Sequence, residues 1–210
     1  MKYVKMLALA AVAAGALMAF IGAGTASATE LCSTTTAAGV ACPAGQKISG
    51  VVSFSLVAGG SAELKETDPE TGVLDTCTTS EVEGEITNSG SSTTTVTGKL
   101  TKLHWTNCKF PTSTTELGKL EIHKIAGTSN GTLTADTTTK VTINTIFFGT
   151  CVYTITPGKS IGDLTEGNPA IFHANAVAEK QEGSAFACPE TALWTATYQM
   201  TKPATTVSVS

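Results

Sequence analysis

The sequence predicts an all-β protein, an antiparallel β-sandwich of Ig-like or jelly-roll-like type with about ten to twelve strands. Three observations lead there. Threonine, valine and isoleucine dominate segments that alternate polar and apolar residues, and no stretch keeps the 3.6-residue period of a helix. Turn residues recur about every ten positions. Six cysteines, an even number, suit a scaffold stapled by disulfides. The clearest segment lies near the end. There Trp194, Ala196, Tyr198 and Met200 share one face of a strand, and Leu193, Thr195 and Thr197 take the other. Its large apolar face marks it as a central strand, with Cys188 tying its entrance to another part of the chain.

Residues 1–28 read as an export signal. Lys2 and Lys5 precede an uncharged apolar run from Met6 to Gly24, and Ala26-Ser27-Ala28 is a small-x-small cleavage site. Residues 29–210 are then a single secreted domain, which retains eleven lysines against seventeen acids, a net charge of −6 with histidines neutral. Every basic residue is lysine. Arginine is the usual bidentate reader of phosphates and base edges, so an acidic chain without it is a poor candidate for nucleic acid or anionic membranes.

All six cysteines, Cys32, Cys42, Cys77, Cys108, Cys151 and Cys188, follow the cleavage site. Export favours three disulfides, and no C-x-x-C pair suggests a metal centre. Six cysteines allow 15 pairings. The pairing expected is Cys32 with Cys42, Cys108 with Cys151, and Cys77 with Cys188.

In chain order, 48–57 is apolar and β-branched and ends at Gly59-Gly60. Ala62 and Leu64 alternate with Glu63 and Lys65 before a turn at 68–72. Val82 and Ile86 alternate with Glu81, Glu83 and Glu85, and Asn88-Ser89-Gly90-Ser91 would turn this strand into a hairpin with 95–100. Pairing Thr87 with Thr93 would set Lys99 opposite Glu81 and Thr97 opposite Glu83. Leu120 and Ile122 begin the next section, and Asn130-Gly131 suits a tight hairpin turn. Val141, Ile143, Ile146, Phe147 and Phe148 form an apolar run into Cys151-Val152-Tyr153. Residues 171–178 could be a short helix, but the continuous face of Phe172, Ala174, Ala176 and Ala178 favours a strand. Val207 and Val209 suggest an edge strand.

The sequence Leu74-Asp75-Thr76-Cys77, Trp105-Thr106-Asn107-Cys108, Gly118-Lys119-Leu120-Glu121-Ile122-His123, Gly149-Thr150-Cys151-Val152-Tyr153 and Cys188-Pro189 with Trp194 to Tyr198 resembles a family of exported proteins from high-GC Gram-positive bacteria. The resemblance spans nearly the whole mature chain. It implies a secreted, disulfide-bonded, threonine-rich β-protein and brings no activity or site residue with it.

Candidate chemistry is sparse. Glu121 and His123 share a strand face and would need a third ligand to hold a metal; His104 beside Trp105 reads as a partly buried aromatic neighbour, and His173 as a surface residue. Asp68, Glu70 and Asp75, or Asp163, Glu166 and Asn168, could offer oxygen ligands to calcium, but match no recognised loop and read as polar turns. Asn130-Gly131-Thr132 is formally a glycosylation acceptor as well as a turn. Rows such as Thr93, Thr95 and Thr97, Thr195 and Thr197, or Thr154 and Thr156 could face a repeating surface, yet threonine on an outward strand face needs no such role.

The expectation is a non-enzymatic, extracellular or cell-surface binding or structural module with no cofactor and no catalytic or metal residue assigned. Its expected partners are cell-wall or extracellular glycan or protein, with no nucleic acid and no membrane once the signal is removed. The alternatives are a glycan hydrolase using paired carboxylates such as Glu81 and Glu83, and an adhesin unit cross-linked between a buried lysine and asparagine.

Overall fold

The computed structural model describes residues 29–67 and 72–210. The expected export signal and the turn at 68–71, with Asp68 and Glu70, lie outside the described residues.

Fourteen strands and no helix occur among the described residues. They are β1 (Thr29–Cys32), β2 (Gly50–Leu56), β3 (Ala62–Glu66), β4 (Val73–Ser91), β5 (Val96–Cys108), β6 (Thr112–Glu116), β7 (Lys119–Lys124), β8 (Gly131–Ala135), β9 (Thr139–Thr145), β10 (Gly149–Ile155), β11 (Ser160–Thr165), β12 (Ile171–Lys180), β13 (Thr191–Lys202) and β14 (Ser208–Val209).

The long strands decide the architecture. β4 pairs with β5 along nearly its whole length, and β12 with β13 from Ile171↔Gln199 to Glu179↔Thr191. Between these long pairs, short strands follow one another end to end in a single place. β2 and β3 both pair antiparallel with β4 and with β13, and 57–61 leave the sheet between them. β7 pairs with β5, and β6 continues beside β5, where the Thr114 hydroxyl donates to the Leu103 carbonyl at 2.7 Å. β8 and β9 then pair with β7 and β6, and β11 and β10 connect them to β12.

The result is an antiparallel barrel of eight positions, four filled by long strands and four by split ones. The expected all-β class and disulfide bracing are present; the two facing sheets of a sandwich are replaced by one closed sheet. Alternation reports that one face of each strand is buried, and a barrel interior satisfies it as well as a sandwich does. Closure leaves β13 partnered along both sides.

The inward side chains are apolar. Trp194, Ala196, Tyr198 and Met200 point in from β13, and Phe172, Ala174, Ala176 and Ala178 from β12, so both faces read from the sequence hold, and residues 171–178 are strand. Five rings cross the interior in contact: Trp105 against Trp194, Trp194 against Tyr198, Tyr198 stacked on Phe172, and Phe172 against Phe54, with centroids 5.9–6.1 Å apart. Cavities of about 40 Å³ and 60 Å³ flank this chain of rings. Benzene occupies a cavity of about 150 Å³, so the barrel is a packed core. The outer wall carries Glu81, Glu83, Glu85, Lys99, His173, Asn175, Thr195 and Thr197, the reverse of a barrel that faces lipid along its strands.

One mouth is covered. β1 pairs with β14 (Leu31↔Val209) and with the end of β4 (Thr29↔Ser91), burying Leu31, Val207 and Val209. Val207 and Val209 therefore belong to this cover instead of an open edge. Gly90 makes the approach possible: it holds φ at +81°, and a Cβ there would sit 1.8 Å from the Thr29 carbonyl oxygen. Cys32–Cys42, expected from the sequence, braces this end.

The other two disulfides differ from expectation and brace the opposite mouth. Cys77 bonds Cys108, and Cys151 bonds Cys188. The β4–β5 pairing sets Cys77 directly opposite Cys108, so they meet within one hairpin. Cys151 meets Cys188 because the end of β12 pairs with β10 (Tyr153↔Lys180), which brings the β12–β13 connection over the start of β10.

Two turns also differ. The β4–β5 chain reversal lies at 92–95, with Ser91 N–H donating to the Thr94 carbonyl, and bulges at Glu83/Gly84 and Ile86/Asn88 shift the register. Glu85 thus faces Lys99, Glu81 faces His104, and Asn88 faces Thr97. In the β7–β8 hairpin the reversal spans 125–130, and Gly131 already lies in β8.

Candidate functional site

At the mouth opposite the β1–β14 cover the chain presents large apolar side chains to solvent. The β9–β10 turn is held by Thr145, whose hydroxyl accepts from Phe148 N–H at 2.8 Å and donates to the Gly149 carbonyl at 3.2 Å. Gly149 takes φ of +78°, closing the reversal. Ile146 and Phe147 form its tip, 83% and 78% exposed, while Phe148 turns back against the core.

The β12–β13 connection sits beside this turn. Gln181 N–H donates to the Val152 carbonyl and Ala185 N–H to the Thr150 carbonyl. The Ser184 hydroxyl accepts from Val152 N–H and donates to its carbonyl. Tyr153 reaches the Pro189 carbonyl at 3.2 Å, and Cys151–Cys188 closes the set. Phe186, in the middle of this fastened loop, is 100% exposed. A Cβ on Gly149 would stand 3.1 Å from the Ala185 Cβ, so the two loops touch. Neither 141–158 nor 183–189 contains a charged residue. The rim is thus an apolar projection on a braced frame, with charge confined to the ends of the β12–β13 connection, where Glu182 is exposed and Lys180, bonded to Glu190, also donates to the Cys188 carbonyl at 3.2 Å.

Two shallow grooves flank the 57–61 excursion. One, about 300 Å³, is lined by Ser61, Glu63, His173, Thr195 and Thr197; the other, about 410 Å³, by 55–60 and 78–81.

The residues singled out in the sequence are dispersed. Lys102 bonds Glu81 and lies 4.0 Å from Glu83. The Lys102 hydrogen bond and charge hold the Glu81 carboxyl below its ordinary value, opposite to what a proton-holding acid needs. His123 lies 3.2 Å from Glu121 and 3.1 Å from the Thr134 hydroxyl. His173 meets Thr197, and His104 is exposed on the outer wall, since successive strand residues face opposite sides and Trp105 takes the interior. Among the described residues one group, Asp75, Cys77 and Cys108, gathers three residues of metal-ligating type, and its two sulfurs are bonded to each other.

Asp75 is buried and structural: its carboxylate accepts from the N–H groups of Thr76 and Phe110 and from the Thr112 hydroxyl, clamping the β5–β6 connection to β4. Asp163 is exposed on β11, while Glu166 donates its backbone N–H to the Asn130 side chain. That bond gives Asn130 a role in the fold. Thr154 is buried although it lies on the strand face opposite Tyr153 and Ile155, so Thr154 and Thr156 form no solvent-exposed row, whereas Thr195 and Thr197 stay on the outer wall. No lysine is buried among the described residues.

The rim residues were missed in the sequence because an apolar run reads as core. The usable signal was Thr145 and Gly149 bracketing three consecutive apolar residues, a turn pattern in which the middle of the run cannot point inward. No family model, curated protein or solved structure matches this chain.

Proposed function

We propose that this chain is an exported, non-enzymatic binding module in which the barrel is scaffold and the rim carrying Ile146, Phe147 and Phe186 is the binding surface. One observation carries this reading: Phe186, Phe147 and Ile146 are held in water by loops joined through Cys151–Cys188. Rigid exposure of large apolar groups costs solvation and serves no packing in the isolated chain, which is the mark of an interaction site. Three disulfides are consistent with an extracellular setting. The filled interior favours recognition at the surface over carriage of a ligand inside. For the hydrolase alternative a carboxyl with a raised pKa is needed, and Glu81 is shifted the other way. For the cross-linked alternative a buried lysine is needed.

The test is retention of the oxidised protein on bacterial cell envelopes, comparing wild type with the triple variant I146S/F147S/F186S. Retention lost in the variant supports the reading. Equal retention of both, or none of wild type, overturns it.

A further inference from the structure

Granting that the rim is the binding surface, its chemistry says what it binds. We propose that Ile146, Phe147 and Phe186 insert into the interface of a lipid layer with neutral, zwitterionic headgroups.

Shape is the first argument. The three side chains stand out from two adjoining loops, so they suit a medium that opens around them. Area is the second. Three such side chains offer roughly 400–500 Å², short of the roughly 800 Å² per partner of a standard protein interface. A second copy of this chain meeting rim to rim would be held by too little surface, whereas a lipid interface asks only that the projecting groups leave water. Charge is the third. No lysine lies in 141–158 or 183–189, Lys180 beside them is paired with Glu190, and exposed Glu182 adds negative charge, so nothing here draws an anionic headgroup, while the uncharged tips at 146–147 and 186 desolvate cheaply. Rigidity is the fourth: the Cys151–Cys188 bond and the bonds from Val152 and Thr150 order the loops before contact, so little ordering entropy is lost on insertion. The polar outer wall limits insertion to the tips. The sequence alone pointed away from membranes because its charge argues only against anionic ones.

The test is flotation of the oxidised protein with phosphatidylcholine vesicles. Wild type is expected to float with the lipid. Each of I146S, F147S and F186S should weaken partitioning about tenfold, and V177S, an exposed apolar residue of the barrel wall, should leave it unchanged. If wild type stays behind while rim-dependent retention on envelopes persists, the lipid assignment fails and the rim reading stands. Flotation that survives the triple variant overturns the assignment, as does binding confined to vesicles containing phosphatidylglycerol. A rim-dependent dimer in gel filtration would overturn it in favour of a second copy.

Discussion

The Tyr198 phenol and the Ser80 hydroxyl meet 2.8 Å apart in the middle of the barrel, both almost wholly shielded from water. The Trp105 and Trp194 indoles lean towards the same phenol, although Trp194 Nε1 reaches hydrogen-bond geometry with no partner. This bond satisfies two polar groups that the apolar interior would otherwise penalise. Tyr198→Phe strands the serine hydroxyl and should cost about 1–3 kcal/mol. Adding Ser80→Ala should recover part of that loss. Urea unfolding of both variants checks it; a double variant no more stable than Tyr198→Phe would contradict the pairing.

Alkali should loosen the same core. Burial raises the Tyr198 pKa to about 12 and pushes Tyr153 up further, where Glu66 and Glu190 add to the effect. An unfolded tyrosine ionises near 10. Between that pH and 12 the unfolded chain gives up protons that the fold retains, so stability is complete below pH 10 and falls as pH rises towards the folded value. For Tyr198 the loss across that window is about 3 kcal/mol. Denaturation followed with tyrosinate absorbance measures it; flat stability across the window would count against a buried phenol.

Acid acts at the covered mouth. Burial of Glu30 alone would raise its pKa, but hydrogen bonds from Lys47 and the Cys42 N–H, with the Lys47 charge, outweigh it and hold the carboxyl below its ordinary value. A depressed carboxyl stabilises the fold above its unfolded pKa, and that contribution disappears as pH falls through the folded one. Glu30→Gln should therefore lower the midpoint of thermal unfolding at pH 7 and flatten its decline below about pH 4.5. A variant with the wild-type acid profile would remove Glu30 from the account.

Replacing Cys151 and Cys188 by serine opens a loop of sequence separation 37. The chain-entropy estimate puts the loss at about 4 kcal/mol. The segment carrying Phe186 should then be cut by chymotrypsin many times faster than in the parent. An unchanged cleavage rate would mean that the hydrogen bonds hold the loop without the sulfurs.

Local alternation made much of this fold legible. Trp194 to Met200 and Phe172 to Ala178 declare their inward faces in the sequence, because side chains on a strand change sides at every residue. Cys32 and Cys42 are close enough in the chain for proximity to pair them. What escaped depends on curvature and register. The chain reverses at 92–95, about four residues beyond the turn expected at 88–91, and this slides β4 along β5 so that Lys99 meets Glu85 instead of Glu81. The bulges at Glu83/Gly84 and Ile86/Asn88 add only local one-residue offsets. Nothing in Cys77 announces that hairpin register will bring Cys108 to it. Closure into a barrel leaves the same alternation as a sandwich. Ile146 and Phe147 look like core because hydropathy records composition, while only the reversal at Thr145–Gly149 turns them outward.

Hydrogen exchange, recorded with and without phosphatidylcholine vesicles, tests the central claim of a rigid barrel that binds through one rim. The account predicts slow exchange throughout β4, β5, β12 and β13 in the free protein, and new protection with lipid confined to 145–150 and 183–188. Rapid exchange in those four strands, or lipid protection centred on the grooves beside 57–61, would contradict it.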